Sequence, residues 1–486
     1  MTLARRKFLS LAAGAATLPA VNRAAWAQAP LAERLADYAH RLRFDDLDAA
    51  TIEQVKSFVI DTLGCGIAAF DETPVRICRD VALSFGAGGS TVVGTNRRIA
   101  PNLASFANGA AFRYYDLNDS YVGGLTGHPS DNIAPCLAVA EAERASAVEL
   151  ITAIVLAYEV TCRLIDALDV TARGWDTPVF SLPAVALAAG KLMKLPPDKL
   201  AQAVSLALND HIPMGQTRAQ TLSDWKGLAD AEAGRNAIFA AMLARAGLTG
   251  PAPIFEGRKG LFQLVTGPAD VDVGAFGGRD IPFKIHQCGV KSYPAVIYSQ
   301  TAIVAGIEVA KEVVRQVGTL DRVVAIEIAT TRRGHQQAGS EPEKWRPDTR
   351  ETADHSLPYI TARAMHDGDL NNDSYAPDKL HDPRILAFMR KITVKADPEF
   401  DAHRGNAPAT RVTAILDDER RITHKVDNMP GFVGQPMSRA DIERKFRSNV
   451  GKRWPAERTA AILPALWALD RTDDLRVMLG MLSLQA

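Results

Sequence analysis

Apolar residues recur at helical spacing from Leu31 to about Arg245, and this run limits the chain to folds built on a large helical body. Leu31–Leu42 reads as one helix. Asp48–Ala69 reads as a second, with Ile52, Val55, Val59, Ile60 and Leu63 on its apolar face. Cys136–Leu168 reads as one long helix or two. Pro183–Met193, Pro197–Leu208 and Leu228–Ala246 follow, with proline at or near a first turn in two of them. The pattern changes near Phe283. Arg322–Thr331, Lys391–Ala396, Arg411–Leu416 and Arg421–Val426 are short and β-branched, and the last two flank an acidic turn, Asp417-Asp418-Glu419, as a hairpin does. Helical stretches Ser292–Lys311 and Asp354–Met365 interleave with them. From Ser438 the helical pattern returns behind a capping-box start, Ser438 with Asp441. The expected fold is therefore mainly α. Residues 30–280 and 437–486, the two chain ends, form one large all-helical domain, and residues 281–436 form a smaller inserted α+β lid domain.

The first 27 residues stand apart from this pattern. Arg5-Arg6 precedes an apolar stretch, Phe8 to Ala20, and Ala25-Trp26-Ala27 offers an A-x-A cleavage site. This is the layout of a twin-arginine signal peptide, which carries folded cargo and places the mature protein in the periplasm. The apolar stretch is too short to span a bilayer of about 30 Å. No other stretch reads as a membrane span. Basic and acidic side chains number 56 each, and the leader holds Arg5, Arg6, Lys7 and Arg23 but no acid. The mature chain is thus slightly acidic, which excludes a general affinity for nucleic acid or anionic membrane. The cysteines, Cys65, Cys78, Cys136, Cys162 and Cys288, are odd in number and scattered. That argues against a disulfide framework, a structural zinc site and a cysteine-ligated iron–sulfur cluster.

Four polar clusters carry candidate chemistry. Asn108–Asn132 holds Asp116, Asp119, Ser120, His128 and Asp131 among three glycines, so an acid, a hydroxyl and an imidazole share one loop. The alternative is a solvated loop whose Asp and Ser side chains cap turns. His286–Tyr293 places Lys291 where a helix is expected to begin, either as a carboxylate anchor or as a surface lysine. Arg218–Arg235 contains Asp224-Trp225-Lys226-Gly227 before an alanine-rich helix, either an anion pocket or a solvated helix start. Asp354-His355-Ser356 enters another helix, and there a capped helix with a satisfied histidine is the favoured reading. Gly86-Ala87-Gly88-Gly89 is no dinucleotide loop, because a strand follows it where a helix is required.

Taken in order, these clusters resemble the MmgE/PrpD family, over essentially the whole mature chain. The most specific part is NGA…R…D-x-N-D-S-Y…GHPSDN in Asn108–Asn132, which looks like the 2-methylcitrate dehydratase branch. FVIDTLGCGIAAF (Phe58–Phe70), VKSYPAVIYSQTA (Val290–Ala302) and ADHSLPY support it. The resemblance implies a cofactor-independent, metal-free hydro-lyase. Such an enzyme takes a proton next to a carboxylate of a small di- or tricarboxylate and expels hydroxide. It implies catalytic roles for Asp116, Ser120, His128, Lys226 and Lys291. His128 is the favoured base, with Asp116 orienting it; Asp116 or a lysine protonates the leaving hydroxyl. Arg218, Tyr293 and Asp131 are expected to bind substrate, and the protein is expected to be a homodimer. Trp175-Asp176 and Val296 stand where the related cis-aconitate decarboxylases carry histidine-containing segments, which turns the expectation towards dehydration. Decarboxylation or epimerisation of a related acid, and a non-catalytic periplasmic carboxylate-binding protein, are the alternatives.

Overall fold

A computed structural model describes residues 29–402 and 407–484. The expected leader lies outside the described residues. Helices Leu31–Arg41, Ala49–Ala68, Thr73–Leu83, Pro101–Arg113, Ile133–Ala142, Ala147–Ala167, Ser181–Leu192, Pro197–Asn209 and Ala229–Arg245 build the body. Their starts are chemically marked. The Asp48 side chain accepts from Thr51 N, and Ser146 forms a capping box with Glu149. That box, with Arg144 at φ +53° just before it, divides Cys136–Leu168 into two helices. Ala147–Ala167 is buried on nearly every face, which makes it the central helix of the body.

Two hydrophobic cores organise the chain. One joins apolar residues from Leu31 to Val290 with Ile442, Phe446, Leu463, Trp467 and Leu482, so both chain ends share it. The helices Arg439–Val450 and Ala456–Trp467 pack on Ala49–Ala68. The second core runs from Ala295 to Phe432. Phe283, Ile285, Cys288 and Val290 belong to the first core. The chain therefore crosses between cores at residues 291–294, about ten residues later than the composition change suggested. Among the described residues no helix is long and apolar enough to cross a membrane. The five cysteines are buried and free; the sulfurs of Cys162 and Cys288 lie 3.8 Å apart.

The strands fall into three sheets. β1 (Ser90–Thr91) pairs with β2 (Arg98–Ile99). β3 (Asp119–Val122), β4 (Thr126–Gly127) and β5 (Cys288–Val290) form a small antiparallel sheet in the order β4-β3-β5. β6 (Val323–Thr330), β7 (Ile392–Ala396), β8 (Thr410–Leu416) and β9 (Arg421–Val426) form the insert's sheet in the order β7-β6-β8-β9, with β6 and β7 parallel. The helix Gln300–Val317 packs on β8 and β9, and Leu357–Asp367 packs on that helix.

The β3–β5 ladder matters most for the site. It sets Asp119 opposite Val290, Ser120 opposite Gly289 and Tyr121 opposite Cys288. Gly289 has no room for a side chain, since a Cβ there would lie 2.3 Å from the Phe432 ring. Lys291 thus follows a strand; it does not open a helix. Tyr293 precedes Pro294, which disfavours helical backbone, and the helix begins only at Gln300. Likewise the helix expected from Asp354 begins at Leu357, capped by Ser356 onto Tyr359 N.

Phe446 is fully buried and packs against Gly64 of the helix Ala49–Ala68. Phe446→Ala should lower unfolding stability by about 3–5 kcal/mol, seen as a lower urea midpoint at unchanged slope. A loss below about 1 kcal/mol would show that the C-terminal helices are not part of the body core.

Candidate active site

The helix Pro101–Arg113 ends three residues before Asp116, which adopts a left-handed backbone, φ +52°. Aspartate tolerates that region better than most residues, yet it still carries strain, which commonly marks functional positions. The turn directs a 1% exposed carboxylate into a ring of donors. Lys291 Nζ donates to Oδ1 at 2.5 Å and to the Asp116 carbonyl at 3.0 Å. Arg113 Nη1 also donates to Oδ1. His128 Nε2 stands 3.9 Å from Oδ1, and His355 Nε2 stands 3.8 Å from Oδ2. Lys226 Nζ is 3.8 Å from Oδ2, which receives no hydrogen bond from any described residue. Burial pushes the Asp116 carboxyl up, but Arg113, Lys291 and Lys226 outweigh it and hold the group well below the usual carboxylate range. Asp116 is therefore an ionised anchor at neutral pH and not the proton donor that the sequence left open.

Lys226 sits in the 3-10 turn Asp224–Gly227 and is 1% exposed. Its Nζ donates to both oxygens of Asp354, at 2.8 and 2.9 Å. It thereby ties the body to the insert. Arg218 supports this turn from behind. It donates to the Lys226 carbonyl at 2.7 Å and to Asp176 Oδ2 at 2.9 Å. Asp354 Oδ1 also accepts from His355 Nδ1 at 2.6 Å, while the Asp354 carbonyl accepts from Val296 N. Burial and Lys226 lower the His355 imidazole to about 4, and Asp354 only partly restores it.

His128 is oriented by the backbone, not by Asp116. Its Nδ1 lies 2.6 Å from the Asp119 carbonyl, which can only accept, so Nδ1 carries the proton and Nε2 presents a lone pair. Burial, then Arg113 and Lys291, hold the ring well below its ordinary value and hence neutral. Ser120 Oγ lies 3.3 Å from the same Nδ1, at the end of the ring remote from Asp116. The lysines and aspartates at the centre are 0–1% exposed, whereas the side chains of His128 and His355 keep 17% and 11%. The imidazoles are thus the groups of this cluster that keep some contact with solvent.

The structure brings together Asp116, Ser120, His128, Lys226 and Lys291. Arg218 acts one layer back. Asp131 accepts from Asn118 at 2.9 Å and stands 3.5 Å from Arg113 Nε, so it buttresses Arg113. Tyr293 lines a neighbouring cleft of about 810 Å³, with Tyr115, Leu117 and Ser292 in the same wall. Three participants lay outside the expected site residues: Arg113, Asp354 and His355. Asp354 and His355 were visible as an acid–imidazole pair but were read as a helix cap. Asp116, Asp354 and His355 each bring a ligand-type atom within 4.8 Å of the others. Two ammonium groups already lie on these carboxylates, so the charge that a metal ion would supply is present as Lys226 and Lys291.

Two outcomes follow from these contacts. Asp116→Ala leaves Arg113 and Lys291 buried without their shared counter-ion, and should cost about 3–5 kcal/mol in denaturant unfolding. Lys291 is brought down to about 8 by burial, against which Asp116 pulls it up and Arg113 pushes it down again. Its positive charge is present below that pH and lost above it. With any substrate that turns over, kcat/KM should therefore fall as pH rises through about 8, and Lys291→Arg should move that fall to higher pH. A high-pH limb unmoved by the arginine would detach it from Lys291.

Comparison with known proteins gives the chain's relatives. Cis-aconitate decarboxylase of Mus musculus is 23% identical over 466 residues, covering 93% of each chain. The 2-methylcitrate dehydratase of Cupriavidus necator is 26% identical over 462 residues, covering 87% of this chain and 90% of that one. The 2-methylcitrate dehydratase of Escherichia coli K12 is 27% identical over 450 residues, covering 85% and 88%. The sequence model of the MmgE/PrpD N-terminal domain matches residues 33–274, and that of the C-terminal domain matches residues 293–469. The first match holds Asp116, His128 and Lys226, and the second begins two residues after Lys291. With both halves matched in order on one chain, the protein belongs to the MmgE/PrpD family.

Proposed function

We propose that the chain is a carbon–oxygen lyase that dehydrates a small hydroxy-tricarboxylate of the 2-methylcitrate kind. One observation carries the reading: a neutral imidazole, His128, offers its Nε2 lone pair 3.9 Å from the carboxylate oxygen that Lys291 holds at 2.5 Å. A base and a buried cation thus face the same small volume. Removing a proton next to a carboxylate builds charge on a group that is already anionic. Buried ammonium groups fixed in advance stabilise that charge without reorganising, usually the largest catalytic contribution. His128 Nε2 takes the proton. Lys291 and Lys226 face the developing charge, and Ser120 with the Asp119 carbonyl fixes the ring. Hydroxide departure then leaves the unsaturated acid.

The dehydratases among the relatives support this reaction, and the decarboxylases support the same class of substrate. Decarboxylation is the second reading, favoured by the equal reach of the similarity to those enzymes. Export through the twin-arginine leader and homodimerisation belong to the same proposal. The test is a panel of 2-methylcitrate, citrate and cis-aconitate followed by NMR. The expected result is water loss from a hydroxy-acid without carbon dioxide, with kcat/KM reduced at least about 100-fold in both His128→Gln and Lys291→Ala. Carbon dioxide release would favour decarboxylation. Turnover that survives both changes would end the site assignment.

A further inference from the structure

The mechanism above uses one imidazole, and the site holds two. They differ in what stands behind them. His128 Nδ1–H is bonded to a neutral carbonyl, that of Asp119, at 2.6 Å. His355 Nδ1 is bonded to a carboxylate, Asp354 Oδ1, also at 2.6 Å. Each then points Nε2 at a different oxygen of Asp116, His128 at Oδ1 and His355 at Oδ2. Oδ2 is a buried acceptor to which no described residue donates a hydrogen bond. A hydroxyl that a bound substrate brings to Oδ2 can donate its hydrogen there, and it receives a hydrogen bond from His355 Nε2 once that ring is protonated, since the neutral ring carries its hydrogen on Nδ1. Two contacts of about 2.8 Å are compatible with the 3.8 Å between those two atoms. We infer that His355 is the general acid of the reaction, protonating the departing hydroxyl while His128 takes the carbon-bound proton.

The division of labour follows from the partners. An imidazolium is stabilised by a carboxylate at its back and is not stabilised by arginine and lysine beside it. The charged groups facing His355 are Asp354 from its own segment and Lys226 and Asp116 from the body. Those facing His128 are Arg113, Lys291 and Asp116. When a polyanionic substrate binds, it favours protonation of both rings, and the proton goes first to the ring with the carboxylate partner. In the step itself the C–H pair becomes the new carbon–carbon double bond and its proton moves to His128 Nε2. The C–O pair leaves on oxygen, which takes the His355 Nε2 proton and departs as water. His128 ends protonated and His355 neutral, and proton exchange with solvent through the two partly exposed rings restores both.

This assignment rests on the dehydration reading, so the experiment separates the two. The enzyme is given its hydroxy-acid substrate and the analogue with fluorine in place of the hydroxyl. Fluoride departs with far less need of a proton. His355→Asn suits the test because its amide can still reach Asp354 but replaces Nε2 with nothing; His355→Gln serves as the second variant should the first fold poorly. With thermal stability and KM close to wild type, kcat on the hydroxy-acid should fall about 100-fold or more. On the fluoro analogue it should fall less than about fivefold. His128→Gln should lose both reactions together. Equal losses on both substrates in the His355 variants would overturn the acid role while leaving the dehydration reading intact. A wild type that eliminates neither water nor fluoride would overturn the dehydration reading, and this assignment with it.

Discussion

The rest of the site depends on one buried carboxylate, that of Asp116. Burying an ion without partners costs several kcal/mol, and so does burying each of the cations around it. Arg113, Lys226 and Lys291 are 0–2% exposed, as is Asp116 itself. None of these charges is tenable alone. Together they offset one another, and they do so only when three separate segments meet: the end of the helix Pro101–Arg113, the turn Asp224–Gly227 and the residue after β5. The network therefore acts as a registration device. It holds the catalytic groups in one arrangement because every other arrangement strands a charge in low dielectric.

The same logic extends across the junction between body and insert. Lys226 of the body is bonded to Asp354 of the insert, and neighbouring contacts follow the same seam. Leu222 N donates to Thr352 Oγ1, Thr349 Oγ1 donates to the Leu222 carbonyl, and Lys344 Nζ donates to the Gln220 carbonyl. Arg350 stacks over Tyr115 at 4.7 Å and Tyr375 at 4.8 Å, so a cation of the insert lies on the aromatic ring next to Asp116. By contrast the exposed pair Lys452–Asp373, with 78% and 73% of its side chains in solvent, adds little. The seam is held by contacts in the segments around Lys226 and Asp354.

Much of this was legible in the sequence. Helix spacing and the Ser438 box were the sequence signals for the helical stretches and for their return at the C-terminus, because apolar period and capping are local signals. The cluster of Asp116, Ser120 and His128 was legible for the same reason, being one short loop. What escaped was set by distance along the chain. β5 is three residues long and pairs with a strand about 170 residues earlier, so nothing local announced that Lys291 would land on Asp116. Arg113 is the arginine of the NGA…R…D motif, and nothing local tied it to the same carboxylate as Lys291. His355 was hidden by a correct reading. Ser356 does cap the helix that follows, and the residue before it turns into the site all the same.

The two histidines also bear on which reaction the site favours. Loss of carbon dioxide needs no base. It leaves a carbanion that must then be protonated, so a decarboxylase needs a protonated acid beside the reacting carbon. Loss of water from a hydroxy-acid needs a base at carbon first and an acid at oxygen second. His128, beside Lys291 and Arg113, is held neutral with its lone pair forward, which suits a base and works against an acid. His355, with Asp354 behind it, is the ring better able to carry a proton once an anion arrives. Val296, apolar and buried, donates its backbone N–H to the Asp354 carbonyl and brings no further proton carrier to that side. On the proposed assignment, in which His128 takes a proton and His355 gives one after substrate binding protonates it, the site would serve the two proton transfers of dehydration, whereas decarboxylation needs one.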